Sequence, residues 1–228
     1  MEQREYTRWE KFSNWFYYNK WWLLIGAIVL YVVGSMLWNV LGIGQTQPDY
    51  CVAYVGRNQL PEDCVSALQT ALAALGEDVN GDGTVSVQIT QHITSDSQDL
   101  ENIMYGYASE VTVLADITQG ESYFFLLDDP DGFQENFQIL ANLDGSIPGY
   151  DDVSGMDKVY AWGDCPVLAG LALGSYTDSY LDETETGQCQ DLLSGLYLGR
   201  RYYADPDENA AQAANAQLWQ RLTAGAEA

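Results

Sequence analysis

Residues 49–75, DYCVAYVGRNQLPEDCVSALQTALAAL, read as one buried strand followed by one helix, and that pair sets the fold class. Asp49 to Val55 is a short, nearly continuous apolar run of strand length. In Pro61 to Leu75, proline stands at the first turn, Glu62 and Asp63 follow it, and Val65, Leu68, Leu72 and Leu75 recur at helical spacing. Downstream, Thr84 to Thr90 alternates with Val85, Val87 and Ile89 on one face, a strand pattern. A second helix is predicted from Leu100 to about Ile117, closed by Gly120, and Tyr123 to Leu127 is a short apolar strand.

The order is therefore β-α-β-α-β, which predicts an α/β domain with a mainly parallel sheet and helices on its faces. Ligands on open sheets of this kind sit beyond the carboxyl ends of the strands. Those ends are Gly56 to Asn58, Gln91 to Thr94 and Asp128 to Gly132, so the candidate ligand-binding residues are Arg57, His92, Asp128, Asp129 and Asp131. His92, the only histidine, has no partner evident in the sequence, and a satisfied core histidine is the plainer reading of it. Beyond Gly132, FQENFQIL is helical in pattern, and Asn142 to Asp157 is a loop rich in Gly, Asp and Ser. Lys158 to Trp162 and Leu193 to Tyr203 read as strands, with an apolar segment from Cys165 to Leu173 between them. Glu208 to Ala224 reads as a terminal helix.

Upstream of the domain, no charged residue occurs between Trp21 and Pro48, and Trp21 to Ile43 is apolar enough to cross a bilayer as one helix. The layout expected is an aromatic leader at 1–20, a spanning helix at 21–43, a linker at 44–48, an outer domain at 49–224 and a tail at 225–228. Residues 1–20 hold four basic and three acidic residues, whereas the remainder holds five basic and thirty acidic ones, a net of −25. Lys20 abuts the helix on one side, and the first basic residue on the other is Arg57. This bias keeps the N-terminus in the cytoplasm and sends the C-terminal domain across the membrane. A cleaved signal peptide ending near Gly42-Ile43-Gly44 is the competing account; the long, partly acidic leader and the length of the apolar run favour the anchor. The leader's rings, from Tyr6 to Trp22, suit the headgroup zone, with much of this segment lying along the inner leaflet.

A net charge of −24 for the chain excludes a nucleic-acid partner, because phosphate binding needs clustered basic residues. Such a field attracts divalent cations, basic wall components or basic peptides. GxSxG, HExxH, GxxxxGK[ST] and GxGxxG are all absent, so no common enzyme signature is present and no catalytic residue is assigned. Asp78, Asn80 and Asp82, followed by Gly83, resemble the first half of a calcium loop, which makes Ca²⁺ the one candidate cofactor. The twelfth position is Ile89 instead of a bidentate Glu, and a plain turn explains the same residues. Cys51, Cys64, Cys165 and Cys189 permit three pairings; Cys51 with Cys64 and Cys165 with Cys189 is the local guess, and buried free thiols are the alternative.

The run from Val85 through VTVLADITQGESYFFLLDDPDGFQENFQILANLDG (111–145), with Ala115, Asp116, Ile117, Gly120 and Tyr123 to Asp128 as the matching residues, is similar to the first lobe of bacterial extracellular solute-binding proteins. The outer part has about half the length of a two-lobed member, so the resemblance implies one solute-binding-like lobe and a remnant of the other. The chain also looks like a group of uncharacterised bacterial single-pass membrane proteins, on GEDVNGDGTVSVQI (76–89), LYLGRR (196–201) and LWQRLTAG (218–225). Two functions are expected from these features. One is a membrane-anchored, extracytoplasmic ligand-binding or sensing module. The other is a non-catalytic structural or interaction subunit of a cell-envelope complex, with Arg200, Arg201 or the terminal helix as contacts.

Overall fold

The computed structural model describes residues 7–40, 47–94, 100–180, 183–203 and 210–226. They belong to two compact units, Met1–Thr46 and Gln47–Ala228, whose boundary falls in the expected linker. The first unit is one helix, α1 (Arg8–Val40), of 33 residues. Its segment Phe12–Met36 is long and apolar enough to cross a membrane and has no part buried in protein, as in a membrane-anchored protein. The leader does not form a separate segment: the helix runs through Trp21 unbroken, since no proline or glycine lies between Arg8 and Ile25. At 1.5 Å per residue α1 is about 50 Å long, well beyond the roughly 30 Å of hydrocarbon. Trp9, Phe12 and Phe16 stack along one stripe, and the Lys20 ammonium lies 4.6 Å from the Tyr17 ring centroid. The far end of the expected span, Leu41 to Ile43, lies outside the described residues.

In the second unit the elements follow as β1 (Tyr50–Gly56), α2 (Glu62–Ala73), β2 (Val87–Ile93), α3 (Leu100–Gln119), β3 (Phe124–Leu127) and α4 (Pro130–Phe137). Then come β4 (Tyr160–Ala161), α5 (Pro166–Ala169), β5 (Ser175–Tyr180), β6 (Glu183–Gln188), α6 (Cys189–Leu193), β7 (Tyr197–Arg200) and α7 (Ala210–Leu222). The main sheet has the order β2-β1-β3-β7-β4. β1 pairs in parallel with β2 and β3, as the β-α-β-α-β reading requires, but β7 runs antiparallel to both β3 and β4. The sheet is therefore mixed, not mainly parallel. The chain reaches β7 through a hairpin, β5–β6, and a short helix instead of another full crossover.

Alternation along the strands splits the core into two layers. Tyr50, Val52, Tyr54, Phe124, Leu126 and Leu198 face Leu68 and Leu72 of α2 and Leu218, Trp219 and Leu222 of α7. Ala53, Val55, Phe125 and Leu127 face Val113 of α3 and Phe133 of α4. The Cys64–Cys189 disulfide joins α2 to α6. The pairing guessed from the sequence is wrong on both counts, and parity gives the reason for Cys51. It lies on β1 between Tyr50 and Val52, so it points away from the layer that holds Cys64. Cys51 and Cys165 remain thiols, each pushed up to about 11, chiefly by burial and further by Asp116 and Glu121 near Cys51 and by Asp164 near Cys165.

The strand expected from Thr84 begins only at Val87, because buried Asp49 organises the approach to it. Its carboxylate accepts from the backbone amides of Val79 at 2.7 Å, Asn80 at 3.0 Å and Ser86 at 2.8 Å. Burial raises the pKa of this carboxyl most strongly, yet the hydrogen bonds together hold it below the usual carboxylate value. A depressed folded pKa contributes stability that is present above the unfolded value and is lost as pH falls through the folded one. Asp49→Ala is accordingly expected to cost about 2 kcal/mol at neutral pH and to flatten the loss of stability below about pH 4. Thermal melts of both proteins from pH 7 to pH 3 measure it, and a variant melting curve parallel to wild type across that range contradicts it.

Candidate functional site

β1, β2 and β3 run in parallel, so their carboxyl ends meet at one edge of the sheet, and a pocket of about 160 Å³ opens there. β1 contributes Val55, the residues just after β1 and β2 contribute Arg57 and Thr94, and α3 contributes Glu110 and Val113. The turn before α4 supplies Asp128 and Asp129, and α4 itself supplies Gly132, Phe133, Asn136 and Phe137. Three of the five candidate residues named from the sequence, Arg57, Asp128 and Asp129, thus line one cavity.

Each is placed by local chemistry. The backbone amide of Arg57 donates to Asp128 Oδ2 at 2.8 Å, and its Nε lies 4.0 Å from the same oxygen. This clamps the turn after β1 to the turn after β3. Asp129 is the N-cap of α4, accepting from the Gly132 amide at 3.1 Å, with Pro130 at the first helical position. Phe133 packs at a tilt between Phe125 and Phe137, each ring centroid 5.0 Å away, and with Phe137 gives the pocket an aromatic wall. Against the one guanidinium, itself tied to Asp128, stand the carboxylates of Glu110, Asp128 and Asp129. The lining is acidic and aromatic, which suits a cation with a small apolar body.

The other two candidates lie elsewhere. Asp131 turns away from the pocket, and its Oδ1 accepts from the amides of Gly155 at 2.7 Å and Met156 at 3.0 Å. His92 is buried on the same sheet face as Val55, its register partner, but does not line the pocket. Its Nδ1 lies 3.0 Å from Thr112 Oγ1, and that hydroxyl donates to the Ser109 carbonyl. The ring therefore donates from Nδ1, and Nε2 faces Asp116 Oδ2 at 4.0 Å without a hydrogen bond. Asp116 accepts from the Ser122 amide at 3.0 Å and from its hydroxyl at 2.6 Å. Burial pushes this carboxyl up, and the His92 and Ser122 groups more than offset it. This polar cluster fastens α3 to the sheet and is a structural use of the histidine.

The suspected calcium residues serve their own loop. Asp78 accepts from the amides of Gly81 at 2.7 Å and Gly83 at 2.9 Å. Asn80 accepts from Asp82 at 2.8 Å, and Asp82 accepts from the Thr84 amide and hydroxyl, both at 2.8 Å. Their oxygens point at neighbouring amides as in successive Asx turns. No group of three His, Cys, Asp or Glu residues among the described ones is placed to hold a metal ion.

Sequence reading missed Glu110, Val113, Asn136 and the two phenylalanines of the pocket. The Asp-Pro-Asp-Gly turn marked the start of α4, but nothing in the linear pattern shows which residue of α3 crosses the strand ends. A second, shallower groove of about 370 Å³ lies toward the other end of this face, lined by Cys51, Gln88, Thr90 and Ser122 among others. No protein-family model, curated protein or solved structure matches the chain.

Proposed function

We propose that the chain is a membrane-tethered binding module whose outer domain takes a small organic cation in the pocket at the carboxyl ends of β1, β2 and β3. The observation that carries this reading is the cavity itself, with Glu110, Asp128 and Asp129 around an aromatic wall of Phe133 and Phe137. With a water occupying about 30 Å³ of liquid, a volume of 160 Å³ suits an amine or guanidinium head with a short apolar stem. The carboxylates neutralise the charge, the rings cover the stem, and the Arg57–Asp128 clamp holds the rim in shape. No group in the pocket is arranged as a nucleophile with a base, so binding is the activity assigned to it.

The side of the membrane belongs to the same proposal. The Lys and Arg bias around α1 and a disulfide within the domain both support an extracytoplasmic position, since such bonds persist in oxidising compartments. Thermal melts of the full-length chain in detergent test the ligand class. Butylguanidinium and 1,4-diaminobutane at saturating concentration are expected to raise the melting temperature by about 3 °C or more, and butyrate and butanol to leave it unchanged. Equal shifts with butyrate, or none with either cation, contradict the reading. On intact cells, externally added protease is expected to remove the domain; full protection would place it on the inner side.

A further inference from the structure

The segment from Asp144 to Asp157 exposes large apolar side chains while being held firmly in place. Ile147 is 52 % exposed, Tyr150 91 %, Val153 43 % and Met156 45 %. At one end, the Leu143 carbonyl accepts from Arg200, and Asn142 and Ser146 bond to each other through backbone and side chains. At the other, Gly155 packs against the Pro130 carbonyl so closely that a Cβ there would lie 1.9 Å from the oxygen. The Gly155 and Met156 amides bond to Asp131, and the Gln134 amide nitrogen donates to the Asp152 carbonyl. Lys158, fully buried, reaches out to Asp152 and Asp157 at 2.8 Å each. These ties fix the backbone and leave the apolar side chains outward, an arrangement that costs solubility unless something covers them.

We propose that this segment is a docking loop for a basic polypeptide segment carrying apolar side chains. The charge pattern chooses the occupant. The loop carries four aspartates, Asp144, Asp151, Asp152 and Asp157, against two buried cations, Lys158, which pairs with Asp152 and Asp157, and Arg200, which donates to the Leu143 carbonyl, so the surface keeps a negative excess with Asp151 exposed. Anionic lipid is repelled by such a surface, and a second copy of a chain with net charge −24 brings the same negative field. A basic segment neutralises this remaining negative charge and inserts its own apolar groups among Ile147, Tyr150 and Met156, with Tyr150 as the aromatic anchor. The loop and the cation pocket flank opposite sides of the first turn of α4: Asp129 and Gly132 line the pocket, and Pro130 and Asp131 hold the loop.

The test uses the full-length chain in nanodiscs of zwitterionic lipid, with signal from empty nanodiscs subtracted. Three pentapeptide amides serve as probes, alternating Lys with Leu, Lys with Ser, and Gln with Leu. The Lys–Leu peptide is expected to bind at least tenfold more tightly than either of the others. The double variant Tyr150→Ser, Met156→Ser weakens it at least fivefold. The double variant Val111→Ser, Leu114→Ser, which removes the exposed apolar pair of α3, leaves it unchanged. Both variants alter exposed residues, and Asp151→Asn supplies a third, milder probe of the loop's charge, expected to weaken the peptide about twofold. Equal affinity for wild type and the Tyr150/Met156 variant, or equal weakening by the α3 variant, overturns the proposal. Neither result bears on the cation pocket, whose own melts are read with small amines.

Discussion

Replacing Cys64 and Cys189 together by alanine is expected to lower the melting temperature of the unit Gln47–Ala228 by roughly 4–20 °C. The two cysteines lie 125 residues apart in sequence, so the bond closes a very long loop in the unfolded chain. Chain entropy alone places its contribution near 5 kcal/mol, and native disulfides of this kind deliver about 2–5 kcal/mol. For a domain of this size each kcal/mol moves the midpoint by about 2–4 °C. The bond also fixes α6, the element that turns the chain from the β5–β6 hairpin into β7. Losing it frees the antiparallel half of the sheet before the β1–β2–β3 half. Calorimetry with and without reductant, and on the double variant, measures the effect. Cys165→Ala is the control: it removes one buried sulfur and leaves the bond, so its cost is expected to be about 1 kcal/mol. If reductant and the double variant both leave the midpoint within 2 °C of wild type, the bond is not holding the domain together.

Gly155→Ala should have the second largest effect, about 4 kcal/mol. The added methyl would sit 1.9 Å from the Pro130 carbonyl oxygen and 2.7 Å from the Asp131 nitrogen, both backbone atoms that no rotamer change can move. Either α4 or the loop must retreat. Retreat of the loop gives up the two amide bonds to Asp131 and loosens the Lys158 contacts, adding to an overpacking cost of about 1–3 kcal/mol. The visible consequence is a loop that proteases cut near Tyr150, together with loss of the Lys–Leu peptide if that peptide docks there. A variant as stable and protease-resistant as wild type would show that the close approach is not maintained in solution.

Much of the second unit could be read from its residues because local and global preferences agree there. The apolar run after Asp49, the proline-led helical pattern from Pro61 and the helix ending at Gly120 each carry one meaning, and the structure has β1, α2 and α3 at those places. Gly120 adopts φ +72, the left-handed backbone that ends a helix. What failed was information that periodicity does not hold. Leu193 to Tyr203 shows a strand without showing its direction, and β7 runs antiparallel to both of its neighbours, which makes the sheet mixed. The hairpin SYTDSY and ETETGQ has no apolar face in its sequence and gave no strand pattern. The cysteine guess followed sequence proximity, whereas strand parity sends Cys51 to the face opposite Cys64.

The site divides along the same line. That parallel strands end together is a property of topology, so Arg57, Asp128 and Asp129 could be named before any coordinates. Whether a particular side chain turns into that space depends on its neighbours. Asp131 is drawn off by the Gly155 and Met156 amides, and His92 is drawn under α3 by Thr112 and Asp116. Glu110 enters the pocket only because α3 packs beside β2 and brings Glu110 and Val113 to the space lined by Val55 and Thr94, a tertiary fact.

The most direct test of the account is a calorimetric titration of 1,4-diaminobutane into the full-length wild-type chain and into the double variant Glu110→Gln, Asp129→Asn. Glutamine keeps the shape of Glu110, and asparagine still caps α4, so charge is removed while the fold is kept. Saturable binding at one site per chain in wild type, weakened at least tenfold in the double variant with an unchanged melting temperature, is the predicted result. The same affinity in both proteins, or no heat in wild type, would contradict the assignment of the pocket to a small organic cation.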